Sequence, residues 1–193
     1  MKTRETLKIT FLATISLAML SACATDPPAV PAQAPVQTSK LVEIERLNLD
    51  IETGWKLAYA VQKPPNYQVR EFVREGDDIN SWKELLTVEN FVKPQSGFSF
   101  MDIINRHKAT MQVRCPNLTQ LTIIEQMDNG ILYEWTTKPC HIYPDTHDIG
   151  RIVAGVHSFY IVRYTAKVSL IAADVREKWL KQFRAALVEK VKG

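Results

Sequence analysis

No stretch of this sequence is long and apolar enough to cross a bilayer as a helix. The one apolar run, residues 9–20, holds about a dozen residues, where a spanning helix needs roughly 20. Clustered basic charge is also missing. The 24 Lys and Arg are scattered among 21 Asp and Glu, which excludes the basic face that nucleic-acid binding requires. Residues 1–22 carry Lys2, Arg4, Lys8 and Glu5, so the chain beyond them keeps 21 basic and 20 acidic side chains. There is no Gly-x-Ser-x-Gly, hence no nucleophile elbow; Gly97-Phe98-Ser99 reads as a turn into a helix. There is no Cys-x-x-Cys of the kind that thiol-exchange catalysts use. No internal repeat is present.

What the sequence does have begins at its start. Lys2, Arg4 and Lys8 precede the apolar run, and small residues follow it, as in a secretory signal. The run closes in Leu20-Ser21-Ala22-Cys23. A cysteine directly after Ser-Ala resembles the lipobox of bacterial lipoproteins, over residues 1–23. The resemblance implies cleavage before Cys23, diacylation of its thiol and acylation of the new amino group. Membrane attachment through Cys23 follows, and it holds because each buried methylene contributes about 0.8 kcal/mol. In the enteric-type sorting rule that comes with this resemblance, Asp after the cysteine retains a lipoprotein in the inner membrane. Ala24 therefore implies the outer membrane, facing the periplasm.

The chain then divides into a signal peptide at 1–22, a lipidated cysteine with a Pro/Ala-rich linker at 23–40, and a single domain at 41–193. The linker composition cannot bury enough apolar surface to fold. It reaches roughly 50 Å as polyproline II and roughly 20–25 Å as a flexible coil. Beyond Cys23 the cysteines are Cys115 and Cys140. In the oxidising compartment that a signal implies, two thiols pair, so a disulfide is expected between them.

Within the domain, residues 41–51 fit a helix or a strand equally well. Trp55, Leu57, Tyr59 and Val61 alternate as a half-buried strand does. Lys63-Pro64-Pro65-Asn66 breaks it, and residues 67–75 alternate again as its hairpin partner. Gly76-Asp77-Asp78 is a turn, and residues 81–91 become β-like from Thr87. Residues 99–113 carry helical spacing, with Ser99 and Asp102 placed to cap the start and Pro116 after the end. Residues 118–127 and 131–137 flank Asp128-Asn129-Gly130, read as a hairpin turn with left-handed backbone. Residues 138–150 read as a loop, and 151–167 as one long strand or a bent pair broken near Gly155. Asp174 is expected to cap a last helix that buries Val175, Trp179, Phe183, Ala186 and Leu187.

This order predicts an α+β fold, an antiparallel sheet with helices packed on one face. It resembles the PsbP-like class of small α+β domains in element order alone. Trp82-Lys83-Glu84-Leu85-Leu86-Thr87-Val88, with Gly155-Val156-His157-Ser158-Phe159-Tyr160 further on, is similar to a group of small secreted bacterial proteins of unknown activity.

The candidate chemistry is thin. Cys140, His141, His147 and His157 lack the regular spacing of zinc ligands, and Cys140 is claimed by the disulfide. They read as a structural cysteine and exposed loop histidines. His107 reads as a partly buried helix residue. Asp77-Asp78 suits a turn. Glu43, Glu45, Asp50 and Glu52 read as a solvated face, and the four tryptophans as core. No catalytic, metal or cofactor residue is assigned. The expected function is a non-catalytic binding or assembly module of the cell envelope, held to the membrane and serving an envelope protein partner. The alternatives are an enzyme acting on an envelope substrate and a carrier of a small apolar ligand.

Overall fold

The computed structural model describes residues 44–191 apart from 64–66, 94–96, 98 and 142. Cys23, the signal segment and the linker lie outside the described residues. The elements run β1 (Glu45–Asn48), β2 (Trp55–Lys63), β3 (Tyr67–Arg74), β4 (Glu84–Val92), α1 (Phe100–Arg114), β5 (Thr119–Met127), β6 (Gly130–Thr137), β7 (Thr146–Ala154), β8 (Ser158–Ala166), α2 (Ala173–Ala185) and β9 (Leu187–Lys190). Seven strands form one sheet in the order β2-β3-β4-β8-β7-β6-β5, with antiparallel neighbours throughout. β1 and β9 pair as a separate antiparallel ribbon, so Glu45–Asn48 within the segment 41–51 is strand, and residues 41–43 lie outside the described residues.

This corrects the expected α+β class. The chain is β-rich, and its two described helices do not share a face of the sheet. Alternate residues of a strand point to opposite sides. Ile131 and Tyr133 of β6 pack with Ile104 of α1, whereas Leu132 between them packs with Trp179 and Phe183 of α2. The sheet is thus sandwiched between helices. The loop expected at 138–150 is strand from Thr146 on. Thr146–Ala154 is a full strand whose polar His147 and Asp148 and small Gly150 hide its alternation.

The α2 side is the apolar core. Leu86, Leu132, Ile149, Val153, Tyr160, Val162, Tyr164, Trp179, Leu180 and Phe183 are all buried there. Trp179 stacks on Tyr164 at 4.6 Å, and Trp55 meets both edge-on. Each fully buried large apolar side chain stabilises by about 1.5–3 kcal/mol. α2 starts after Ala172, which makes no side-chain cap bond; Asp174 sits inside the first turn instead of capping it. At the other end the buried Arg151 donates to the carbonyls of Phe183 and Arg184 and to Asn129. A cation there complements the helix dipole. The chain then turns straight into β9, so Leu187 is 49% exposed instead of lying on the helix's buried side.

Two more local readings change. Asp128 and Asn129 form the β5–β6 turn, but neither Asn129 nor Gly130 takes a positive φ; Gly130 already belongs to β6. A β-bulge between Leu57 and Tyr59 breaks the expected alternation, so Tyr59 and Val61 leave the face that Trp55 and Leu57 share. The Ser99 cap of α1 is present, accepting from the Asp102 N–H at 3.3 Å.

Glu45 is not part of a solvated face. Its carboxylate is buried and accepts from the N–H groups of Val156, His157 and Ser158 and from the Ser158 hydroxyl, at 2.7–3.0 Å. Burial alone would raise its pKa; these donors outweigh it and hold it low. The bonds fasten the terminal ribbon to the β7–β8 turn. Gly155 makes the room: a Cβ there would lie 2.5 Å from Glu45 Oε2. Glu45→Ala should therefore cost about 2–3 kcal/mol by orphaning the buried donors, and Gly155→Ala about 1–3 kcal/mol by overpacking. Urea midpoints of the single variants check both values.

Cys115 and Cys140 form a disulfide with 5.8 Å between Cα atoms, consistent with a secreted protein. It joins the C-cap of α1 to the short bridge between Cys140 and Tyr143. Reduction should lower stability by about 2–4 kcal/mol. Denaturation with and without reductant measures this, and intact mass confirms the two-hydrogen difference.

Candidate functional site

α1 is a poorly covering helix. Among its residues Ile104 alone is fully buried, against three on α2. It leaves a cavity of about 480 Å³ between itself and the sheet. Strand register decides what lines the floor. Glu71, Thr87, Arg163, Gly150 and Tyr133 are successive partners across β3, β4, β8, β7 and β6, so they share one row on the α1 face. Glu89 and Asp148 belong to the rows on either side. Gly150 is what lets the row close up. A Cβ there would lie 2.5 Å from the Tyr133 hydroxyl oxygen, so only glycine leaves space for that ring beside Arg163.

An arginine keeps its proton, so its burial demands acidic neighbours. Burial pulls the Arg163 pKa down, and Tyr133, Glu89, Asp148 and Glu71 together overcome that and raise it. The acids answer. Burial lifts Glu71, with Glu89 adding to it against Arg163. Burial likewise lifts Asp148, opposed by Arg163 and by the hydroxyl bond from Thr165. Tyr133 is raised by burial. Tyr67, which donates to Glu89 at 3.4 Å, is pushed up to about 12 by burial and then by that carboxylate.

The walls are apolar. Phe91 and Phe159 stack at 4.8 Å between centroids, and Ile103, Ile104, Ile152 and Ile161 complete the lining. Ser99, Asp102, Arg106 and Thr110 line it from the helix. His107 also faces in, edge-on to Trp135 at 5.1 Å. Burial, then Arg163 and Arg114, lower its pKa to about 4, so the ring is neutral at pH 7. Ser99 and His107 stand eight residues apart on one helix, about 12 Å along its axis. The serine hydroxyl is already the helix cap. This spacing does not make a nucleophile and its base.

The other sequence candidates fall elsewhere. His141 and His157 are exposed. His147 is not a loop histidine: it lies in β7, 2% exposed, and its Nδ1 accepts from the Ile171 N–H at 3.0 Å. Its Nε2 faces Glu134 at 3.8 Å, and Glu134 is paired with Arg176. Burial lowers its pKa. Asp77 and Asp78 accept backbone bonds within their turn. Glu52 joins Arg74 and Lys178. Among the described residues no group of three or more His, Cys, Asp or Glu is arranged to hold a metal, and no helix is long and apolar enough to cross a membrane. Sequence reasoning passed over Glu71, Glu89, Asp148, Tyr133 and Arg163. The available signal was slight: Arg163 is the lone charge in Ser158–Ala166, whereas Glu71 and Asp148 stand beside Arg70 and His147 in mixed strands.

No protein-family model matches the chain, and no curated protein matches it.

The buried His147 and the half-buried His107 set an acid limit on the fold. Unfolded histidine titrates near 6.5, and the folded values are lower. Below about pH 6.5 the unfolded chain takes up protons that the folded chain refuses, so stability falls from there toward pH 4. Glu71 and Asp148, raised in the fold, act in the opposite direction, but equally in a His107 variant. His107→Phe should therefore lose less stability than the parent between pH 7 and 4.5. Urea titrations at each pH supply the comparison; equal slopes would contradict a neutral, half-buried His107.

Proposed function

We propose that this chain is an envelope lipoprotein, anchored through Cys23 and facing the periplasm from the outer membrane, whose folded domain is a non-catalytic binding module. The lipobox Leu20-Ser21-Ala22-Cys23 and Ala24 support the anchor and its address, and the Cys115–Cys140 disulfide accords with export. The observation that carries the binding reading is the cavity under α1. It combines aromatic and branched walls with a few convergent polar groups, the composition of small-molecule sites. The Pro/Ala-rich stretch between Cys23 and the domain would let the module meet a ligand or deliver it to an envelope protein partner. A carrier of purely apolar cargo suits this floor less well, because Arg163 and Glu89 would be left facing hydrocarbon. The spacing of Ser99 and His107 gives an enzyme no support.

Cys23→Ser should move the chain out of the membrane fraction, and equal retention of both forms would contradict the anchor. Separately, native mass spectrometry of the chain extracted from its own envelope should show a small-molecule adduct. Ile161→Trp, which fills the cavity floor, should remove that adduct while leaving the circular dichroism unchanged; an adduct that survives the substitution would place the ligand elsewhere.

A further inference from the structure

Arg163 and Glu89 occupy neighbouring strands of the cavity floor without forming a close pair. Nη2 of the arginine and Oε1 of the glutamate are 3.9 Å apart, beyond hydrogen-bond reach. Arg163 Nε is buried with no partner among the described residues. Glu89 Oε1 accepts from the Tyr67 hydroxyl at a long 3.4 Å. Both side chains reach the cavity, with 27% and 19% of their surface exposed. The floor therefore presents donors and acceptors side by side, each with unused capacity.

This pairing discriminates by charge. A carboxylate or phosphate would meet Arg163, but also Glu89, with Glu71 and Asp148 close behind the guanidinium. An ammonium would meet Glu89 but also Arg163. Either ion leaves one floor group repelled and unpaired. A neutral group that accepts and donates through adjacent atoms satisfies both. The stacked Phe91 and Phe159 and the isoleucines around them suit an aromatic or aliphatic body. Resting on the binding reading above, the geometry points to an uncharged amide on an apolar body as the ligand class, its C=O accepting from Arg163 and its N–H donating to Glu89.

Four probes of one shape separate the possibilities: benzamide, benzoate, benzamidine and toluene. They are titrated into the full chain while the methyl resonances of Ile104, Ile152 and Ile161 are followed. Benzamide should bind about tenfold tighter than each of the other three. Glu89→Gln removes the repulsion toward anions, and should bring benzoate within about threefold of benzamide. Tightest binding by benzoate or benzamidine, toluene matching benzamide, or an unchanged preference in Glu89→Gln would each overturn the ligand class while the cavity reading stands. If none of the four moves these methyls, the cavity reading fails, and the ligand class fails with it.

Discussion

A guanidinium halfway along a sheet strand constrains everything around it. Arg163 cannot shed its proton to escape burial, so its surroundings must supply negative charge and room. Glu71, Glu89 and Asp148 supply the charge. Gly150 supplies the room, because it leaves the Tyr133 ring free to lie where a Cβ would stand. A face carrying this cluster cannot be sealed by a close-packed apolar helix without stranding ions. α1 accordingly buries one residue fully and leaves a cavity over the charges.

The opposite face shows what the sheet does without that constraint. There α2 buries Trp179, Leu180 and Phe183 against the aliphatic and aromatic residues of β4 and β6 to β8. Arg151 is buried as well, but its charge is spent on the helix C-terminus and Asn129. Stability and binding are thus divided between the two sides of one sheet. The division follows from strand alternation: within Val162-Arg163-Tyr164 the outer two residues serve the core and the middle one serves the cavity.

The same alternation explains what was legible in the sequence. α1, with its Ser99 cap, could be read because local signals determine it. The class could not, because it depends on which side of the sheet each helix covers. β7 was mistaken for loop over its first half since His147, Asp148 and Gly150 are polar or small for reasons that lie on other strands. Glu45 looked solvated because its four donors come from residues more than a hundred positions away. The cavity residues were missed for the same reason: an inward-facing charge is indistinguishable from an outward-facing one until its partners are placed.

In this account the charged cluster serves the cavity and adds little to folding. A quadruple variant tests that claim directly: Arg163→Met with Glu71→Met, Glu89→Met and Asp148→Leu, measured by urea unfolding. Replacing a desolvated ionic cluster by apolar groups of similar size is often neutral or stabilising, so its stability should fall within about 1 kcal/mol of the parent or above it. A loss of about 3–5 kcal/mol would make the cluster a structural keystone and contradict the account.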